Sequence, residues 1–179
     1  MRSHSFPTRR SSDLTCLGGT SPTESTTGPG RLLQLVVDRM SGLLAARFVA
    51  VLVGTAEGWL EIAAAHGEQA EELVGERIAV DRSKSGRVFL EGMPARVDSV
   101  LDDPDVDPDL MRRIGARAGI WAPLIVREET IGVLMALDRL NGDPHFGDGD
   151  LRLAQRFASR AAVAVDLSRR VARTTVQRI

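Results

Sequence analysis

Residues 119–151 read GIWAPLIVREETIGVLMALDRLNGDPHFGDGDL, and this stretch decides the fold. Its first apolar run carries Ile120, Ala122, Leu124 and Val126 at a spacing of two, and its second, IGVLMAL, is apolar on both faces. A strand apolar on both faces belongs inside a sheet that is covered on each side. The short polar turn Arg127 to Thr130 joins the runs into a central hairpin. The turn-rich NGDPHFGDGD that follows opens onto a helix.

Toward the N-terminus, Leu32, Leu33, Val36, Val37, Met40, Leu43 and Leu44 recur at steps of three and four, which predicts an amphipathic helix from Arg31 to Ala46. RFVAVLVGT (47–55) and WLEIAAAHG (59–67), separated by a Gly-containing turn, predict a second hairpin. QAEELVGE is a short helical segment and RIAVD a brief strand. Ser83 is placed to cap a helix carrying Val88, Phe89 and Leu90, which Gly92 and Pro94 end before ARVDSV returns to strand. LDDPDVDPDLMRRIGARA is a loop with a short helix bearing Leu110, Met111 and Ile114. On the C-terminal side, Asp148 or Asp150 caps a long helix through about Arg173, where a carboxylate suits the positive end of the helix dipole. The fold class is therefore α+β: a central antiparallel sheet of about six strands with helices on both faces.

Composition narrows the function. A net charge of −1 and a pI near 6.3 provide no basic field, so nucleic acid is not expected as a partner. The longest apolar runs fall far short of the roughly 20 residues of a crossing helix, so no membrane span is expected. The single cysteine, Cys16, leaves no internal disulfide framework and implies a reducing, cytoplasmic setting. Residues 1–30 are rich in Ser, Thr, Gly and Pro without periodicity and are expected to form a disordered tail. Within them SHSFPTRRSSDL resembles translated sequencing-adapter sequence, which would make the segment foreign to the protein. The expected domain spans 31–173, and 174–179 begin a linker to an output domain.

Several chemical signatures fail on inspection. His66 ends a strand and His145 lies in a polar loop, and neither has a partner at triad or metal-ligand spacing; His4 lies in the tail. Asp103, Asp105 and Asp107 alternate as in a calcium loop, but Pro108 stands where Gly is needed and Ile114 where the bidentate Glu belongs. No phosphate loop, dinucleotide fingerprint or nucleophile elbow is present. No enzymatic activity is expected from these residues.

From about Leu32 to Arg173 the chain resembles a GAF domain, the PAS-related sensing and dimerising module of signalling proteins. The likeness is carried by LLQLVVDRM, SGRVFLEGMPARVDSV, WAPLIVREETIGVLMALDRLNG and PHFGDGDLRLAQRFASRAAVAV. LDRLNGDPHFGDGD is most similar to the GAF domains of actinobacterial two-component sensor histidine kinases. The resemblance implies a sensory and regulatory role for a small-molecule or redox signal, as a fragment of such a kinase. A ligand-free structural dimerisation module is the alternative, as is the regulatory domain of a phosphatase, cyclase or transcription regulator. Some small members of the family are methionine-sulfoxide reductases, but those rely on cysteines and the ordered region here has none.

The resemblance also bears on ligands. Cyclic-nucleotide-binding members carry Asn-Lys, then a spaced Phe, three residues and Asp-Glu. Here Asp138-Arg139, Phe146 and Asp150 stand at those places and Leu151 replaces the Glu, a partial pattern that speaks against cyclic nucleotide. Haem-binding members place a histidine shortly before the strand equivalent to GIWAPLIV; residues 101–120 contain none, which speaks against haem. In the family the pocket lies between the sheet and its covering segments, here Ser83–Gly92 and Asp102–Ala118. That placement implies apolar walls from Phe89, Met111, Ile114, Trp121 and Met135, with Arg96 or Arg117 as polar contacts, unless these residues pack a closed core. In the last helix, Phe157, Ala164 and Val171 are spaced by seven beside the small-residue stripe Leu151, Ala154, Ala158, Ala161 and Val165. A stripe this wide can face both the sheet and a partner, so a homodimer through the terminal helices is expected.

Overall fold

The structure, a computed structural model, describes residues 28–176, without the side chains of Pro29 and Thr175. The expected tail up to residue 27, with His4 and Cys16, and the last three residues of the expected linker lie outside the described residues. Helix α1 spans Pro29–Leu44 and ends where Ala45 turns left-handed at φ +47°, so strand β1 (Ala46–Gly54) starts at once. Strand β2 is Trp59–Gly67, helix α2 Ala70–Leu73 and strand β3 Arg77–Ala79. A single 3₁₀ turn, Val80–Arg82, leads into helix α3, Lys84–Glu91. Strand β4 (Ala95–Val97), helix α4 (Pro108–Ile114), strands β5 (Gly119–Val126) and β6 (Glu129–Arg139) and helix α5 (Asp148–Val176) complete the chain.

The strands form one six-stranded sheet in the order β3-β2-β1-β6-β5-β4, and every neighbouring pair is antiparallel. Strand β6 is central, as its two-faced apolarity predicts, and β5 lies between it and the edge strand β4. The β5–β6 turn is tighter than expected: Arg127 and Glu128 alone make it, at φ +50° and +69°, so β6 resumes at Glu129. A two-residue turn with both positions left-handed matches the twist of the flanking strands. Bulges add Ala63 to β2 opposite Val51 and Leu52, and Ile131 to β6 opposite Leu124 and Ile125. The second bulge turns Ile131 toward the same face as Leu134 and Ala136.

Two cores result. On one face, Leu33, Val37, Met40 and Leu44 of α1 and Ala154, Ala158, Ala161, Ala162 and Val165 of α5 pack on Val49, Val51, Ile120, Ala122, Leu124 and Leu134. The alanines let the α5 backbone lie close to the sheet, so the small-residue stripe faces inward. On the other face, Phe48, Leu52, Ile62, Trp121, Val133, Met135 and Leu137 are covered by α2, α3 and α4. Leu140 N–H donates to Ala45 O at 2.8 Å, tying the C-terminal end of α1 to the loop that enters α5. Gly30 and Leu33, at the other end of α1, lie beside Val165, Ser168 and Arg169. The two helices therefore run antiparallel. No helix among the described residues is long and apolar enough to cross a membrane.

Gly86 and Gly132 sit where backbones meet. A Cβ at Gly86 would lie 1.8 Å from Val80 O, and one at Gly132 would lie 2.3 Å from Leu52 O. Both obstacles are backbone and cannot swing aside. Gly86→Ala is expected to cost about 3 kcal/mol, the upper end of ordinary overpacking. Gly149→Ala, where the nearest neighbour is 3.9 Å away, is expected to leave stability unchanged or raise it by up to about 1 kcal/mol. Urea unfolding of the two variants checks the contrast.

Candidate functional site

The face of the sheet under α3 and α4 is built around Trp121. Ala95 of β4 and Met135 of β6 stand opposite it on either side. Its indole N–H donates to Ser85 Oγ at 3.1 Å, and Ser85 is itself buried on α3. Alternation along β5 and β6 aims Trp121, Met135 and Leu137 at this face, and α4 lays Leu110, Met111 and Ile114 over them. Trp121 and Met135 are each 1% exposed, Met111 3% and Ile114 7%. Four of the seven residues implied by the family resemblance thus meet in one closed cluster.

Phe89 packs at the edge of that cluster, and Arg96 and Arg117 lie apart from it. Phe89 is partly buried at the margin, because the helical turn of α3 sends Ser85 and Val88 inward and Phe89 toward the end of β1. A Cβ on Gly54 would lie 2.8 Å from the Phe89 ring. Arg96 stands opposite Ile120, whose side chain belongs to the helical core, so it lies on the other face of the sheet from Trp121. There its Nη1 donates to Asp148 at the start of α5, at 2.7 Å. Arg117 is exposed, and its backbone N–H is engaged by Asp138.

The cover is held by polar contacts at both ends. Asp107 Oδ1 caps α4 by accepting from Asp109 N–H (3.0 Å) and Leu110 N–H (3.3 Å). The acidic loop before it is strapped to α3 by Lys84, whose Nζ lies 2.9 Å from Asp103 and 3.7 Å from Asp105, and by Arg87, which bonds Asp105. Hydrogen bonding to Glu91 and then to Asp105 holds the Arg87 guanidinium above its ordinary pKa. Of the alternating aspartates, Asp103 and Asp105 are thus partners of cations, and Asp107 is a helix cap. Among the described residues no group of three or more His, Cys, Asp or Glu is placed to hold a metal ion.

The far end of α4 is fixed by a residue whose role the sequence did not reveal. Asp138 is 4% exposed and sits at φ +49°, a conformation that aspartate tolerates better than most residues. Its Oδ1 accepts from the N–H groups of Arg117 and Ala118, both at 2.8 Å. Its Oδ2 accepts from Arg47 Nη2 at 2.8 Å and Nε at 3.3 Å. Arg47 also donates to Ile114 O (2.9 Å) and Gly115 O (3.0 Å), the last carbonyls of α4. The signal available was one acid closing the apolar run IGVLMAL and one base opening FVAVLV, on strands that pair.

Open space lies outside this cluster. A groove of about 470 Å³ runs between the 3₁₀ turn, α3 and the acidic loop, lined by Val80, Ser83, Arg87, Leu90 and Val106. A second cavity, of about 390 Å³, includes Phe89, Thr130 and Arg169, and a third, of about 320 Å³, opens between α1, α5 and the sheet.

Among solved structures, the GAF-B domain of DevS from Mycobacterium smegmatis is similar at 25% identity and a TM-score of 0.64, covering 82% of this chain and 98% of that one. The GAF domain of a phosphoenolpyruvate-protein phosphotransferase from Coxiella burnetii has a TM-score of 0.71 at 19% identity, covering 86% and 88%. The free methionine-R-sulfoxide reductase of Neisseria meningitidis, solved with its substrate, has a TM-score of 0.66 at 20% identity, covering 83% of each chain. These last two show the fold alone. No curated protein matches the sequence. The family profile described as GAF domain matches residues 29–165, most of the chain. The chain therefore belongs to the GAF domain family.

Proposed function

We propose that this chain is the sensory and dimerising GAF module of a cytoplasmic signal-transduction histidine kinase, in which α1 and α5 pair with those of a second copy and pass a signal onward. The observation that carries this reading is the course of α5. Its 29 residues reach about 43 Å at 1.5 Å per residue, along α1 and beyond it. Its inward face is alanine-rich, while Val163 and Leu167 point outward at 58% and 56% exposure. Leu32, Leu35 and Leu43 of α1 are exposed as well. Ala164, from the series spaced by seven, is buried against the domain itself, so the partner-facing residues are Val163 and Leu167. Likeness to the mycobacterial DevS GAF-B domain supports an actinobacterial source, and LDRLNGDPHFGDGD carries the kinase part of the reading.

A small-molecule ligand is proposed for the face under α3 and α4, with Phe89, Met111, Ile114, Trp121 and Met135 as its walls and the strap as its entrance. Binding shifts the terminal helices only if the ligand prefers one of their arrangements. A second reading, a ligand-free dimerisation module, is favoured by the closure of that face around Trp121 and Met135.

Three outcomes are expected. The parent chain sediments as a dimer, and Val163→Glu with Leu167→Glu sediments as a monomer with its unfolding midpoint close to the parent's. A monomeric parent contradicts the dimer reading. The gene continues past Ile179 into a His-containing dimerisation helix and an ATPase domain; a stop codon there with no kinase encoded alongside counts against the kinase. In Trp59→Phe, where Trp121 is the sole indole, acrylamide quenching rises severalfold when Lys84→Ala and Arg87→Ala cut the strap. Unchanged quenching would make the cover a fixed part of the core and leave the second reading.

A further inference from the structure

The cavity between α1, α5 and the sheet lies on the opposite face from the ligand site just proposed. Its floor and walls are Leu33, Val53, Ala63 and Val165, all packed on the helical core. Its rim carries Glu61 and Arg169, with Thr55 and Ser168 between them. Strand pairing fixes the rim: Val53 stands opposite Glu61 and Gly54 opposite Leu60, while Arg169 donates to Gly54 O. Arg169 therefore holds its position through one N–H and keeps other donors of its guanidinium for a ligand. It makes no ion pair among the described residues, although Glu61 borders the same cavity. Among the described residues Glu61 has one ion-pair partner, Arg77 at 3.8 Å, beyond hydrogen-bonding distance.

We infer that this cavity binds a small zwitterion with an apolar body, of the apolar α-amino acid class. Arg169 takes the carboxylate, Glu61 the ammonium, and Leu33, Val53, Ala63 and Val165 the side chain. The volume of about 320 Å³ holds such a molecule. Two opposite charges at one rim reject a plain carboxylate or a plain amine, since either leaves one charge facing an apolar group. The ligand touches both α1 and α5, so its occupancy bears directly on how the two helices pack. The inference does not depend on the dimer or on the face under α4.

The test is a titration of the ¹⁵N-labelled full chain with L-leucine to about 10 mM, ten times the ~1 mM dissociation constant of a weak small-molecule complex. Amide shifts are expected at Val53–Thr55, Glu61–Ala63 and Val165–Arg169. Binding is expected to weaken about tenfold in Arg169→Gln and in Glu61→Gln, the usual loss with one charged hydrogen bond. It should weaken similarly for 4-methylpentanoate and 3-methylbutylamine, which each lack one charge. Since Arg169→Gln also removes the bond to Gly54 O, Glu61→Gln and the two analogues keep the test independent of folding. Absence of shifts, shifts confined to α3 and α4, or equal binding of either analogue would overturn the inference.

Discussion

The carboxylate of Asp138 is the constraint on which the second core depends. A buried carboxylate without partners would cost several kcal/mol. Here its two oxygens accept four hydrogen bonds, two from consecutive backbone amides and two from Arg47. Arg47 is satisfied in turn by the terminal carbonyls of α4, where a cation is also favoured by the helix dipole. One polar unit thus joins β1, β6, the end of α4 and the start of β5. Without it, the carbonyls of α4 and the amides of residues 117 and 118 would lose partners together. The lid over Trp121 would then be anchored by its acidic strap and by the Arg113–Glu76 pair.

The two faces of the sheet serve different ends. Alanines on α5 remove bulk between helix and sheet, so a long helix is held close by contact area rather than by large side chains. Its outward residues remain for a partner. The face under α4 is closed by large apolar side chains and held at its margins by charge. The helices that would carry a signal lie on the face away from this lid. A ligand under the lid must act through the sheet, whereas one seated between α1 and α5 acts on the helices without an intermediary.

Most of the architecture was legible because periodicity is local. The alternation in GIWAPLIV, the double-sided IGVLMAL, the three-and-four spacing of α1 and the Ser83 cap all appear where expected; Ser83 Oγ accepts from Gly86 N–H at 2.9 Å. The face of Arg96 was not legible, because three residues of β4 are too few to show which side alternates inward. The part played by Asp138 was hidden for another reason: it arises from pairing between segments 91 residues apart. The cavity at Arg169 likewise assembles from four separated stretches, and the 3₁₀ turn at Val80–Arg82 follows from the close approach of Gly86.

The central claim is that Arg47 and Asp138 act as one unit. A double-mutant cycle built from Arg47→Ala, Asp138→Ala and the pair, with unfolding free energies from urea titration, measures this directly. A coupling energy of about 2 kcal/mol is predicted, within the range for residues sharing a hydrogen-bonded network. Effects that add to within about 0.5 kcal/mol, as for independent sites, would contradict it.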